Sequence, residues 1–154
     1  MKKYLKIINI VLLVICMISI FLLSNEDRKT STIRSIDTTK KIVSVVSSDK
    51  VSDTTSTKIA KDYFNEVRKS AHFIEYLCLG ILVINVIKDY KKISYKWIII
   101  CILFCLLYSI SDEVHQIYVP GRSCEVRDVL IDTSGSIIGI MIYCLINRKQ
   151  LVKN

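Results

Sequence analysis

The sequence predicts an all-α fold: an integral membrane four-helix bundle with both termini cytoplasmic and amphipathic helical segments in the first extracytoplasmic connection. Three observations carry that expectation. The 154 residues are 51% hydrophobic, and the apolar residues gather in blocks. Four blocks approach the about 20 residues that a helix needs to cross the hydrocarbon of a bilayer. Lysine and arginine crowd alternate connections, which sets orientation. A soluble bundle would need a polar stripe along every helix, and the first and third blocks lack one.

The first block, Leu5–Leu23 (LKIINIVLLVICMISIFLL), follows Lys2 and Lys3. It is longer than the apolar core of a secretory signal, and no small-residue cleavage site follows it, so an uncleaved span is expected. The connection Ser24–Lys69 is rich in Ser, Thr, Lys and Asp. Ile33, Ile36, Val43 and Val46 recur at helical spacing in it, as do Ile59, Tyr63, Phe64 and Val67. The pattern predicts helices that lie on the outer membrane face or pack over the bundle, with a flexible loop as the alternative.

The second span is Ser70–Ile87, the third Ile93–Ser111 and the fourth Val129–Ile146, each with polar residues near one end. Lys2, Lys3 and Lys6 precede the first span, Lys88, Lys91, Lys92 and Lys96 join the second to the third, and Arg148, Lys149 and Lys153 follow the fourth. Between the third and fourth only Arg122 and Arg127 stand, among four acids. The first connection holds ten basic residues, but it is long and has seven acids mixed in. The net charge of +8 therefore reads as membrane topology, and no nucleic-acid partner is expected. Tyr4, Tyr95 and Trp97 would mark the inner interface, Tyr108 and Tyr118 the outer one. Five of the six cysteines lie in apolar runs, only Cys124 is in a polar one, and there is no CxxC, so they read as small buried hydrophobes.

Ionisable residues inside a span cost about 2.5–3.5 kcal/mol each at its centre by insertion scales, so they are partnered or functional. Arg68, His72, Glu75 and Tyr76 share one face of the second span by their spacing. Asp112, Glu113, His115 and Gln116 close the third span; Asp128 and Asp132 are one turn apart at the start of the fourth. Four-helix topology puts these groups and Arg122 at one outer level. The candidate binding residues are Arg68, His72, Tyr76, Glu113, Gln116, Arg122, Asp128 and Asp132. The candidate acid–base groups are His72, Glu75, Glu113 and Asp128. Bland roles stand beside these: interface hydrogen bonds for His72, an ion pair with Arg68 or His72 for Glu75, a protonated packing group for Asp132, a surface charge for Arg122. The VPGR stretch (Val119–Arg122) is a turn. Gly80, Gly135 and Gly139 read as helix-packing positions, the last two forming a small-xxx-small pair (GSIIG) that also admits an oligomer. No HExxH, GxSxG or phosphate-binding glycine loop is present, and neither metal nor cofactor is expected.

RKSAHFIEYLCLG (Arg68–Gly80) and DEVHQIYVPGRSCEVRDVLIDTSGSIIG (Asp112–Gly139) resemble the motif blocks of the VanZ-like bacterial membrane proteins. The shared positions are Arg68, His72, Tyr76, Gly80, Glu113, Gln116, Gly121, Arg122, Asp128, Gly135 and Gly139. FLLSNEDRKTS after the first span is similar to the family's post-helix serine stretch, while members commonly carry Asn where Asp132 stands. The resemblance implies one multi-pass domain of the bacterial cell membrane, and a family member is linked to resistance to teicoplanin-type glycopeptides. Three readings follow. The chain binds or shields an envelope component such as an anionic lipid or cell-wall precursor, it is an enzyme acting on such a molecule, or it is a transport or structural part of a larger complex.

Overall fold

The computed structural model describes residues 2–46 and 53–147. They form five helices: α1 (Lys2–Ser24), α2 (Arg28–Val46), α3 (Asp53–Tyr90), α4 (Tyr95–Gln116) and α5 (Val126–Ile146). No strand occurs among the described residues. Four helices, α1, α3, α4 and α5, are long and apolar enough to cross a membrane. Their outer surfaces carry large apolar side chains: Val14, Ile15 and Leu22 on α1, Leu103 and Leu107 on α4, and Leu145 on α5 are all exposed. In water that surface would drive association; in a bilayer it is the correct solvent contact.

The core holds Ile20 of α1, Tyr76, Leu79 and Ile84 of α3, Cys101 and Cys105 of α4, and Ile140 and Tyr143 of α5. The closest packing is between α3 and α5, and glycine permits it. A Cβ on Gly80 would run into the Ser136 carbonyl; one on Gly135 would meet the carbonyl of Phe73, and one on Gly139 that of Leu77. Ser136 also donates its hydroxyl to the Tyr76 carbonyl at 3.1 Å. Gly135 and Gly139 thus face α3 of the same chain, which leaves this stripe unavailable as an oligomer contact.

One expectation of the first connection holds and one changes. Its second apolar set leads straight into the second span, as its position in the sequence implies. Ile59, Tyr63, Phe64 and Val67 lie on α3, which runs unbroken from Asp53 through the second span. No proline or glycine interrupts residues 53–79, so nothing ends the helix before the membrane. At 1.5 Å per residue its 38 residues span about 57 Å, well beyond the ~30 Å hydrocarbon.

The change concerns the face of α2. Its buried residues are Ser31, Ser35 and Thr39, while Ile33 is exposed and Ile36 and Val43 are half-buried; the Val46 side chain lies outside the described residues. The hydroxyls of Ser35 and Thr39 donate to the carbonyls of Ser31 (2.9 Å) and Ser35 (2.7 Å). Satisfied in this way, these short side chains let α2 lie close against α3. Asp27 starts α2 by accepting the Thr30 amide at 3.0 Å. Hydrogen bonding from the Thr30 side chain, and next from its amide, holds the carboxyl below the usual aspartate range.

Among the interface aromatics, Tyr4, Tyr95 and Tyr118 are exposed and Trp97 half-buried, but Tyr108 turns inward. Its hydroxyl donates to the Met17 carbonyl at 2.7 Å, bridging α4 to α1. The basic residues Arg148, Lys149 and Lys153 lie outside the described residues.

Candidate functional site

The ends of α1, α4 and α5 and the middle of α3 meet at one end of the bundle, closed by the turn that follows α4. Gly121 adopts φ 77° there, a left-handed conformation that glycine takes at no steric cost. The turn aims Arg122 back across the helix ends. Its guanidinium donates to the Glu26 carbonyl (Nε, 2.9 Å), the Leu23 carbonyl (Nη2, 3.3 Å) and Gln116 Oε1 (Nη1, 3.1 Å). Two of these acceptors are backbone carbonyls, one in the last turn of α1 and one just past its end, where a helix leaves carbonyls in need of donors. Burial, and next the neighbouring Arg68 guanidinium, push Arg122 below the ordinary arginine value, against the pull of Asp112, Glu26 and Glu113.

Held from behind by Arg122, the Gln116 amide presents its NH2 to two acids. It donates to Asp112 Oδ2 at 3.2 Å and Glu113 Oε1 at 3.0 Å. Ser24 donates to the same Asp112 oxygen at 3.0 Å, and the Glu125 amide to Glu113 Oε2 at 2.9 Å. Asp132 receives one long bond from Ser109, 3.3 Å to Oδ2. All three acids are buried, and they offer oxygens within 4.8 Å of one another. Such an oxygen-only set matches hard cations rather than zinc. Local spacing motifs miss this trio, because Asp132 is distant in the chain from Asp112 and Glu113.

In front of these groups lies a cleft of two cavities. The larger, about 490 Å³, is lined by Arg68, Lys69, His72, Glu113, Arg122, Asp128 and Asp132, with Arg28 and Arg127 at its walls. The smaller, about 270 Å³, lies between α2 and α3 and is lined by Ser31, Arg34, Thr38, Ala71, His72 and Glu75. Arg68, His72 and Arg122 line both. His72 Nδ1 is 3.8 Å from Glu75 Oε2, one helical turn along, and has no hydrogen-bond partner. Asp128 Oδ1 makes a long ion pair, 3.9 Å, with Lys69 Nζ. Arg34 is fully occupied by Glu26, at 2.8 Å through each of two nitrogens. Arg68 makes no hydrogen bond or ion pair among the described residues.

The predicted residues therefore divide. Arg68, His72, Glu113, Arg122, Asp128 and Asp132 line the larger cavity. Glu75 lines only the smaller one. Gln116 lies behind the cavity wall as a bridge. Tyr76 lines neither cavity; it is fully buried, with its ring 6.2 Å from that of Tyr108. His115 points elsewhere, to Asn25 Oδ1 at 3.1 Å and against the Phe21 ring. Asp112, placed at the right level by its spacing but given no role, is a central acceptor. Its one sequence signal was its position one turn before Gln116.

A family model described as VanZ/LLP1 matches residues 9–147. The chain belongs to this family. That membership and the four apolar helices make it a multi-pass protein of the cell membrane. No curated protein and no solved structure matches it.

Proposed function

We propose that this VanZ-like protein holds the anionic headgroup of an envelope lipid or lipid-linked cell-wall precursor in its cleft, on the outer side of the membrane. Arg68 carries the reading. Its guanidinium makes no hydrogen bond or ion pair among the described residues, lines both cavities and faces the charge of Arg122. Two like charges at one place repel, and an anion between them relieves the repulsion. An envelope component held in this way is shielded, which gives a physical route to lower susceptibility to teicoplanin-type glycopeptides.

A second reading is favoured by one observation. His72 lines both cavities with an unpaired ring nitrogen close to Glu75, an arrangement suited to moving a proton at a bound phosphate. Binding then becomes the first step of a reaction on the headgroup.

The test uses the purified full chain and dioctanoyl phosphatidylglycerol, with bound lipid read by native mass spectrometry. Arg68→Ala should weaken binding about tenfold, the loss of one charge-assisted contact. Lys96→Ala, at the other end of the bundle, should not. Equal affinity for wild type and Arg68→Ala would sink the headgroup reading. New lipid species after incubation, absent with His72→Ala, would favour the enzyme. In cells, wild type should raise the inhibitory concentration of teicoplanin and Arg68→Ala should not; no change with wild type would remove the glycopeptide role alone.

A further inference from the structure

We infer that the ligand of the cleft carries an amine as well as its anionic group: a zwitterionic headgroup such as a phosphate bearing a primary ammonium. The inference rests on the headgroup reading above and narrows its ligand class. The larger cavity is lined by five basic side chains but also by five acidic ones. A ligand with only negative charge would meet as much repulsion as attraction there. The acids differ in what they still lack. Both oxygens of Glu113 are engaged, one by Gln116 and one by the Glu125 amide. Asp132 is 2% exposed, and its Oδ1 has no hydrogen-bond partner. Asp128, one turn away, has an Oδ1 with no hydrogen bond and only the long contact to Lys69.

A buried carboxylate oxygen without a donor is costly, and a cation that fills the place removes the cost. The geometry favours an ammonium over calcium, which asks for about six to eight oxygen ligands; magnesium keeps several of its waters and is told apart by the EDTA comparison. Most oxygens of the Asp112–Glu113–Asp132 trio are already spent on Gln116, Ser24, Ser109 and the Glu125 amide. Asp112 also does not line the cavity. The acids of the cavity wall left with an unpartnered oxygen are Asp132 and Asp128, one turn apart, a match for an ammonium with three N–H donors. Arg68, which makes no hydrogen bond or ion pair among the described residues, stands in the same cavity for the phosphate; the cavity's about 490 Å³ lies within the about 300–1,000 Å³ of ligand pockets.

The experiment compares dioctanoyl phosphatidylethanolamine with dioctanoyl phosphatidylglycerol on the purified full chain, with EDTA present. The amine lipid should bind about tenfold more tightly. Asp132→Asn should abolish that preference by weakening phosphatidylethanolamine, with phosphatidylglycerol bound no more weakly than by wild type; Asp128→Asn should reduce the preference by a smaller factor, and thermal unfolding reports whether each variant folds. Equal binding of the two lipids, or tighter phosphatidylglycerol, overturns the amine while leaving the anionic reading standing. Loss of both lipids from wild type overturns the anionic reading itself. If phosphatidylglycerol gains tenfold only when magnesium replaces EDTA, the free carboxylates serve a metal and the amine is again overturned.

Discussion

At the scale of single residues, the outer polar groups fall into those that build the cleft and those left open to a ligand. Arg122 belongs to the builders. Three acceptors, on α1, on the turn after it and on α4, occupy its fork, so its charge ties helix ends together and fixes the Gln116 amide. Lysine keeps the charge but cannot reach three divergent acceptors from one rigid plane. Arg122→Lys should therefore cost about 1.5–3 kcal/mol in thermal or chemical unfolding, the range for hydrogen bonds to a charged group. Phosphatidylglycerol affinity should fall far less than in Arg68→Ala. A variant with unchanged unfolding but lost lipid binding would make Arg122 the direct anion ligand instead. The spacing of the sequence disclosed which residues share a depth, including His72, Glu113, Asp128 and Asp132. It could not disclose that a guanidinium on a turn reaches back to carbonyls of Leu23 and Glu26, because those are backbone acceptors with no side-chain signature.

At the scale of elements, helix period and apolar length revealed four spans, since both are local properties of the chain. The packing of α2 was illegible for a physical reason. Its seam is made of Ser31, Ser35 and Thr39, whose hydroxyls are silenced by bonds to the preceding turn, whereas a periodicity argument looks for apolar residues and selects Ile33. The α3–α5 pair reads more easily, because glycine at one-turn spacing is a direct statement about close approach. Gly139→Ala should push these helices apart against the Leu77 carbonyl, at a cost of about 1–3 kcal/mol from overpacking. Ile138→Ala, on the exposed side of the same helix, is the matched control. Thermal unfolding in detergent followed by circular dichroism measures both. A midpoint for Gly139→Ala as high as wild type would show that α5 can slide without loss and that the glycine does not set the approach.

At the scale of the whole molecule, the two ends of the bundle differ in charge in a way that bears on orientation. The end without the cleft carries Lys3, Lys6, Lys88, Lys91 and Lys92; Asp89, close to them in the chain, is tied to Asn9 at 2.7 Å. Lys6 and Lys91 lie over the rings of Tyr90 and Trp97, as expected of residues anchored at a membrane surface. The cleft end is also basic, but its cations are interleaved with Glu66, Glu113, Glu125 and Asp128 and serve a cavity. Lysine in short connections retains a segment in the cytoplasm. On the proposed orientation the cleft opens to the outside, where envelope lipids and glycopeptides meet. Cys124 tests this directly, because it is exposed in the loop between α4 and α5. A membrane-impermeant maleimide added to intact cells should label Cys124, and Cys124→Ser should remove the label. A cysteine introduced by Tyr95→Cys, in the Cys124→Ser background, should stay unlabelled until the membrane is opened. Labelling of Cys124 only after permeabilisation would turn the cleft to the cytoplasm, and with it would go any direct encounter between this site and a glycopeptide outside the cell.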